Sequence, residues 1–571
     1  MIEALLVFGL AIALGWPLGR WIAAVMRGVP MRADALFGWI ERPLYRLMGV
    51  DASRGMSWRA YAIAFGVSNI VVGLLVWGLF MVQAWLPLNP DAIPNMRWDT
   101  ALHTVVSFLT NTNQQHYSGQ AQLSYLSQMA GIVGLQIVTP MMGLAMLVAT
   151  LRALMGGRQA MGEGVDPAST AGTEPDVGNY WVDTVRATVR VMLPLCLLWS
   201  VLLTSQGVPS TLSAGATATP IDASAGMTTQ KIPVGPVAPM VAAKQLGTNG
   251  GGWYGPNSTV ALENPTPLSN LLQTLAIVLL PIAIACMVGS FTGRRKFTAF
   301  VFGSMLLMSV ISTTAGLVLE GHTALAATPA VMEGKEVRIG VDPSALWAMA
   351  STQINNGSVN AMLDSTAPLT GLVAMSNMLV NAIWGGIGCG LMQFLVYVML
   401  AVFLAGLMTG RTPELFGRKI EAREVRLLAL LILLQPAVLL GFTALTLAIP
   451  SVTGNSNPGF HGISQVFYEY ASAFANNGSG FEGLGDATYW WNLTCSLVLA
   501  LGRYPAMIVP LAVAASLARK RHAPEGSGSL AIETPTFALT LIAVIAILTL
   551  LQFMPALVLG PVADHLSLAA G

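Results

Sequence analysis

The feature that most constrains this chain is a series of ten apolar segments, each long enough to cross a bilayer. A transmembrane helix needs about 20 mostly apolar residues. Hydrophobic residues make up 54% of the chain and charged residues only 10%, against about 25% charged residues in soluble domains. The pattern predicts an all-α polytopic membrane protein whose ten transmembrane helices cover roughly residues 3–25, 61–85, 124–154, 182–205, 268–291, 298–320, 369–408, 427–449, 488–517 and 536–559.

Basic residues predict how these spans are oriented. Clusters of arginine and lysine follow the first, third, fifth, seventh and ninth spans, whereas the loops on the opposite side hold five basic residues. Basic loops remain in the cytoplasm, so we expect the N-terminus outside the cell. An acidic residue precedes the first apolar run and arginines follow it, which is the reverse of a secretory signal. We therefore expect that run to be retained as a span.

Composition and motifs argue against several classes of function. A net charge of +1 offers no basic surface for nucleic acid. The four cysteines lack metal-ligand spacing and are expected to be small buried apolar residues. Neither a G-x-x-x-x-G-K-[ST] phosphate loop nor a DKTGT phosphorylation motif occurs, and the six histidines are scattered. We expect no catalytic site and no ATP site in this chain, and a membrane enzyme is a weak alternative.

Four loops on the outer side share one pattern. In each, a short and mostly apolar helix-like run turns into Asn, Thr or Gly and then continues into a long apolar span. The repeated unit is span, short helix, polar loop and span, and such a repeat decides the architecture. The aligned loop cores, called the triplets below, are Asn111-Thr112-Asn113, Thr248-Asn249-Gly250, Asn355-Asn356-Gly357 and Asn476-Asn477-Gly478.

Irregular backbone at membrane depth must be buried in protein or line a watery cavity. Four such loops around one axis can replace the water shell of a cation with carbonyl oxygens, and glycine permits the positive φ that aims carbonyls at an axis. The triplets contain no Asp or Glu, so neutral ligands favour a monovalent cation, with potassium the natural candidate. Two simpler interpretations are ordinary extracellular turns and N-glycosylation at Asn356 and Asn477, each followed by Gly-Ser.

Longer motifs carry a resemblance to a known family. They read "SFLTNTNQQHYSGQAQLSYLSQMAG", "LGTNGGGWYGPNSTVALENPTPLSN", "LAVFLAGLMTGRTPELFGRKIEAREV", "NPGFHGISQVFYEYASAFANNGSGF" and "PALVLGPVADHLS". Over nearly its whole length the chain resembles the potassium-binding (KdpA-type) subunit of the Kdp potassium-transporting P-type ATPases. The resemblance implies the fold of the superfamily of K+ transporters. That fold has four joined, pseudo-symmetric units of helix, pore helix, filter loop and helix, with one extra span at each end.

The resemblance also implies a division of the chain. A first extra span and cytoplasmic loop occupy 1–60, four pore repeats occupy 61–155, 180–292, 297–410 and 427–518, a cytoplasmic amphipathic loop occupies 411–426, and a last extra span occupies 535–560. By its own residues the segment 410–426 is expected to form an amphipathic helix. In the family this segment faces the ATPase subunit, and contact with anionic lipid is the alternative.

Site residues follow from the same resemblance. The four triplets would form the potassium filter, and Gln115 would shape its affinity. The third loop, "QINNGS", is richer in Asn than in some members.

Arg503 is a charge inside the ninth span and so a functional candidate. The family implies that Arg503 forms a charge barrier below the filter, and a structural arginine is the alternative. The glycines of "WGGIGCG" interrupt an apolar run of about 40 residues, which is longer than one span needs, and we expect them to break or hinge the helix. The family implies that this break lies under the filter and acts as a gate, with close helix packing as the alternative; the glycines are Gly385, Gly386 and Gly388.

The implied function is potassium capture from outside and delivery through an intersubunit tunnel to a partner P-type ATPase subunit, which hydrolyses the ATP. Potassium is thus the transported ligand. The other implied partners are a single-span accessory subunit, often a very small membrane peptide, and the lipid bilayer of a bacterial inner membrane. The alternative is a self-contained potassium channel, or a transporter driven by an ion gradient, of the same superfamily.

Overall fold

Helices form almost all of the regular structure in the computed structural model, which describes residues 1–157, 174–222, 224, 226–321, 329–522 and 530–570. Within these residues, ten helices are long and apolar enough to cross a membrane, as predicted. They are Ile2–Arg27, Trp58–Trp85, Ser127–Leu154, Tyr180–Ser205, Pro267–Thr292, Arg295–Gly321, Cys389–Thr409, Ala422–Leu447, Tyr489–Ala518 and Pro535–Leu568.

The first half of the chain shows the order of span, short helix, loop and span twice. Its elements are α1 (Ile2–Arg27), α2 (Asp34–Leu47), α3 (Trp58–Val82), α4 (Trp98–Leu109), α5 (Gly119–Gln122), α6 (Gly134–Leu154), α7 (Tyr180–Ala187), α8 (Leu193–Ser205), β1 (Thr217–Ala218), β2 (Gln230–Lys231), α9 (Val237–Leu246) and α10 (Pro267–Thr292). A π-helical stretch leads into α6, and another joins α7 to α8.

The second half repeats this order twice more. Its elements are α11 (Arg295–Gly321), α12 (Val341–Ile354), α13 (Pro368–Val380), α14 (Cys389–Thr409), β3 (Glu414–Leu415), β4 (Arg418–Lys419), α15 (Ala422–Leu447), α16 (Pro450–Thr453), α17 (Phe460–Ala475), α18 (Tyr489–Ala518), α19 (Pro535–Leu557) and α20 (Ala563–Ala570). The short helices of the four units are therefore α4, α9, α12 and α17, and a triplet follows each of them.

The core lies around α6 and α10, which are the most deeply buried spans, whereas α1, α3 and α19 lie at the periphery. Close packing is visible between α1 and α10. Gly15 and Gly19 of α1, four residues apart, lie against α10. A methyl group on Gly19 would lie 2.5 Å from the Ala283 carbonyl oxygen, and one on Gly15 would lie 3.0 Å from the Ile282 side chain. Small residues at this spacing let membrane helices approach closely. All four cysteines are buried and reduced, as the apolar pattern predicted.

One predicted break is confirmed and one predicted helix is wrong. The apolar run at 369–408 is split into α13 and α14 at the glycines of "WGGIGCG", because Asn381, Gly385 and Gly388 take left-handed φ values of 49°, 62° and 81°. The amphipathic helix predicted at 410–426 is wrong. Its place is taken by the β3–β4 hairpin, whose turn residues Phe416 and Gly417 both have positive φ, as a two-residue hairpin turn requires.

Candidate functional site: a ring of four polar loops

The four triplets share one backbone conformation. The first and third residues of every triplet have a left-handed φ, and the values run from 54° to 102°. A left-handed residue at the end of a helix stops the helix and turns the chain. The repeat aligned by residue type is thus also a repeat of backbone geometry. The eight residues are Asn111, Asn113, Thr248, Gly250, Asn355, Gly357, Asn476 and Gly478.

Each triplet is also fastened to its short helix by an equivalent hydrogen bond. The amide of the middle residue donates to the carbonyl five residues earlier, over 2.9–3.1 Å. Because α4, α9, α12 and α17 all end at the triplets, the partial negative charge of four helix C-termini converges there. The four donor–acceptor pairs are Thr112 to Ser107, Asn249 to Lys244, Asn356 to Ser351, and Asn477 to Ser472.

Neighbouring triplets are in close contact, in the order of the chain. A methyl group added to the third residue of the second, third or fourth triplet would overlap the middle carbonyl oxygen of the next one. Only glycine fits such an approach. The contacts connect the second triplet to the third, the third to the fourth, and the fourth back to the first. They are Gly250 with Asn356, Gly357 with Asn477, and Gly478 with Thr112.

The first triplet meets the second in a different way. Asn113 stands at the third position, where the other three triplets have glycine. The side-chain nitrogen and oxygen of Asn113 are both buried without a hydrogen-bond partner among the described residues. A methyl group on Gly251 would lie 2.8 Å from the Asn113 Cβ. Gln115 completes the junction, because its Nε2 donates to the Gly252 carbonyl (3.1 Å) and its Oε1 accepts from the Gly252 amide (2.9 Å). The ring of triplets is therefore closed.

The amide side chains of the triplets hold neighbouring repeats together. Asn356 donates to the Lys244 carbonyl in α9 over 3.1 Å, and Asn477 donates to the Ser351 carbonyl in α12 over 3.0 Å. Both asparagines are fully buried, so the alternatives of N-glycosylation and of ordinary surface turns are wrong. The Asn-rich third loop has the same backbone as the fourth.

The middle carbonyls remain available. Within the described chain, no hydrogen-bond donor pairs with the carbonyl oxygens of Thr112, Asn249, Asn356 or Asn477. These four residues are fully buried. A buried carbonyl without a partner costs free energy unless another group satisfies it. The ring thus presents one neutral, unpaired oxygen from each of its four loops.

A buried ion pair lies behind the second triplet, and the sequence analysis did not single it out. Lys244 in α9 is fully buried and forms an ion pair with Glu263. Its Nζ also donates to Asn257 Oδ1 (2.5 Å), and Asn257 Nδ2 donates to the Gly250 carbonyl (2.7 Å). The equivalent position in the other three short helices is serine. A lone lysine in a short apolar helix was the signal that could have found it.

A second buried network, also missed, joins the first triplet region to the fourth. His116 lies 3.2 Å from Glu469 Oε1 and 2.8 Å from Asn492 Oδ1, and its ring stacks on His103 with 3.7 Å between centroids. Gln114 donates to the same Glu469 carboxylate. Glu469 Oε1 thus contacts both Gln114 and His116. These hydrogen bonds account for the close approach of the polar side chains in this network. The signal in the sequence was the run of polar residues after the first triplet.

Below the ring, the break between α13 and α14 touches the triplets. Ile387 donates its amide to the Thr248 hydroxyl over 3.2 Å, and Asn381 accepts from Asn355 Nδ2 over 2.5 Å. Of the glycines predicted to form a gate, Gly385 and Gly388 have positive φ but Gly386 does not.

Arg503 lies beside the same break. It is at the middle of α18, is 2% exposed, and makes no hydrogen bond or ion pair with a described residue. Its guanidinium approaches Gly143 of α6, whose carbonyl also packs against Gly388. The structure therefore brings Arg503 and the glycine break together. A buried, unpaired charge in a span is energetically expensive and usually functional.

Comparison with known proteins identifies the family. The family model KdpA, described as the potassium-transporting ATPase A subunit, matches residues 5–566. The chain belongs to the KdpA family. Two relatives carry the name potassium-transporting ATPase potassium-binding subunit. The relative from Gloeobacter violaceus is 43% identical, with 97% of this chain and 96% of the relative covered. The relative from Pseudomonas putida is also 43% identical, with 99% and 98% covered.

A solved structure was also compared with this KdpA-family chain. The potassium transporter TrkH from Vibrio parahaemolyticus is 14% identical and covers 89% of this chain and 96% of its own, with a TM-score of 0.48.

Proposed function

We propose that this KdpA-family chain binds extracellular potassium in the ring of triplets and delivers it to a partner P-type ATPase subunit for ATP-driven uptake. The observation that carries the proposal is the set of four buried, unpaired carbonyl oxygens, one from each loop of equivalent backbone. Relatives that match almost the full length are named as potassium-binding subunits of a potassium-transporting ATPase.

Charge and rigidity explain why potassium suits the ring. Rings of neutral oxygens replace the hydration shell of a monovalent cation, and the four helix C-termini add negative potential without any carboxylate in the triplets. The oxygens are held by packing, because glycine contacts and asparagine hydrogen bonds connect neighbouring loops. Their spacing is therefore fixed before the ion arrives. Gln115 would influence affinity by tying the first loop to the second.

The proposed path leaves the ring sideways. Arg503 lies by the break in the third repeat and opposes direct passage of a cation, while the break itself contacts the second and third triplets and acts as the gate. The ATPase subunit, a single-span subunit and a small membrane peptide complete the proposed complex. The chain would lie in a bacterial inner membrane with its basic loops in the cytoplasm and its N-terminus outside.

The test uses Gly357→Ala, with Gly303→Ala as the matched control. The new methyl group at Gly357 would meet the Asn477 carbonyl and strain a residue at φ 79°, whereas Gly303 faces open space in α11. Potassium-stimulated ATP hydrolysis by the assembled complex is measured against potassium concentration. We expect the half-saturating potassium concentration to rise about tenfold or more in Gly357→Ala, a loss of about 1.4 kcal/mol, and to stay unchanged in the control.

Two results would contradict the proposal. An unchanged potassium concentration dependence in a well-assembled Gly357→Ala complex would remove the triplets from ion binding. The second arm reconstitutes this chain alone in liposomes without ATP. Full-rate potassium conduction there would instead support a self-contained channel and exclude delivery to an ATPase.

A further inference from the structure

A cavity of about 790 Å³ lies between α1, the end of α10 and the start of α11, and its lining includes none of the triplet residues. Arg20 of α1 and Arg295 of α11 both line it. Both side chains are exposed, and neither makes an ion pair with a described residue. The two basic residues next to Arg295 are placed differently. Arg294 forms an ion pair with Glu533, and Lys296 lines a different cavity. Two positive charges thus face one space without a negative partner.

The start of α11 adds donors to that space. The helix begins at Arg295 and runs for 27 residues, so its first amides and its positive dipole end are available to an anion. Thr298, in the first turn, also lines the cavity and is only 5% exposed, yet its Oγ1 has no hydrogen-bond partner among the described residues. An unsatisfied buried hydroxyl is costly. The hydroxyl lies against Gly289, another residue of the cavity wall, and a polar ligand in the cavity would satisfy it.

Part of the remaining wall is apolar. Trp16 is 43% exposed and packs edge-on against Phe302, with 6.4 Å between ring centroids. Exposed apolar residues continue from the cavity along the outer faces of α1 and α11, among them Leu14 and Leu307. A free anion would leave this surface uncovered, whereas acyl chains would cover it.

We propose that this cavity binds the phosphate of an anionic phospholipid from the leaflet next to the basic loops. Arg20, Arg295, the Thr298 hydroxyl and the first amides of α11 would hold the phosphate. Basic pockets between membrane helices on the cytoplasmic side suit anionic headgroups. The lipid would fasten α1 to the α10–α11 corner, where the peripheral first span meets the core.

The test measures binding of phosphatidylglycerol to the purified complex in phosphatidylcholine nanodiscs, by titration and by native mass spectrometry. Each arginine near an anionic headgroup contributes about fivefold in affinity. We therefore expect Arg20→Gln/Arg295→Gln to bind one phosphatidylglycerol roughly thirtyfold more weakly than wild type. Thr298→Val should also weaken binding while keeping the side-chain volume. Lys296→Gln, the matched control, should bind as wild type does.

Inorganic phosphate is the second probe. We expect millimolar phosphate not to displace phosphatidylglycerol from the wild-type complex. Displacement by phosphate would overturn the proposal in favour of a soluble anion. Equal phosphatidylglycerol binding by wild type and by the well-assembled double variant would overturn it altogether. Both readouts are independent of potassium transport.

Discussion

At the scale of single residues, the triplets depend on polar side chains that do not belong to them. Lys244 holds Asn257, and Asn257 holds the Gly250 carbonyl. The sequence predicted positive φ at the glycines of the triplets. It did not predict the φ of 54° at Thr248, because β-branched residues rarely adopt a left-handed conformation. The lone lysine of α9 is visible in the sequence, but its pairing with Glu263 is not, because the two residues are 19 positions apart and only the fold brings them together.

Lys244→Gln tests that support. Removing one partner of a buried ion pair leaves an uncompensated charge and typically costs about 3–5 kcal/mol. We expect a lower thermal midpoint of the solubilised complex and a higher half-saturating potassium concentration. Lys244→Gln/Glu263→Gln, which removes both charges, should recover part of the stability. Lys296→Gln, which removes an exposed lysine in the first turn of α11, should leave both quantities unchanged; equal losses in the two single variants would refute the support role.

The surroundings of His461, in the N-terminal turn of α17, predict that the stability of the fold depends on pH. Its ring lies 2.9 Å from Asp364 and 3.0 Å from Asp564. Hydrogen bonds to these carboxylates, Asp364 first, raise the pKa of His461 to about 9. A pKa raised above the unfolded value of about 6.5 stabilises the fold fully below that value. This contribution is lost as the pH rises through about 9.

Thermal midpoints of wild type and His461→Gln should therefore differ most at pH 6, with wild type higher. The difference should shrink between pH 7 and pH 9 and disappear near pH 10. Gln465, which donates to the same Asp364 oxygen, offers Gln465→Leu as a control that removes a neutral hydrogen bond. The loss in that control should not follow the titration of His461. A gap that grows with pH would contradict the assignment.

At the scale of elements, apolar length located the spans well because the bilayer imposes one length on every crossing. Apolar length alone gives one run at 369–408, but the glycines of "WGGIGCG" predicted the break between α13 and α14. The amphipathic helix expected at 410–426 was wrong. Gly410, Pro413 and Gly417 favour turns, and the segment contains the β3–β4 hairpin instead.

The break between α13 and α14 can be tested by substituting Gly388, with Gly386, two residues away, as the control. Gly388 has φ 81°, and a methyl group there would overlap the Gly143 carbonyl, whereas a methyl group on Gly386 would make ordinary contacts at 3.7 Å. Gly388→Ala should cost about 1–3 kcal/mol from backbone strain alone and slow potassium-dependent ATP hydrolysis. Gly386→Ala should behave as wild type in thermal midpoint and in hydrolysis rate. Tolerance of Gly388→Ala would show that the break is a flexible linker.

At the scale of the whole molecule, four units meet in one ring, and the charge of Arg503 lies beside the break that contacts this ring. Arg503 is buried, unpaired among the described residues, and adjacent to the break. Its place in the ninth span was readable from the sequence as an isolated charge. Its neighbours were not, because Gly143 and Gly388 belong to two other repeats.

Arg503→Met should open a leak. Without the positive charge, a potassium ion leaving the ring meets a lower electrostatic barrier towards the cytoplasm. We expect passive rubidium flux through proteoliposomes of the complex to rise at least about tenfold without ATP. Arg503→Lys, which keeps the charge, should stay close to wild type. Unchanged flux in Arg503→Met would assign this arginine a structural role.

The four loops belong to one chain, so no symmetry obliges them to be alike. In a tetramer of identical subunits, a residue such as Asn113 would appear four times or not at all. Here it occupies one quadrant while glycine occupies the other three. A ring built from one chain can therefore be asymmetric, because a single substitution changes one quadrant and leaves the other three as they are. Such a ring can offer the ion one carbonyl oxygen from each of its four sides and still give the Asn113 side chain of the first side a separate task.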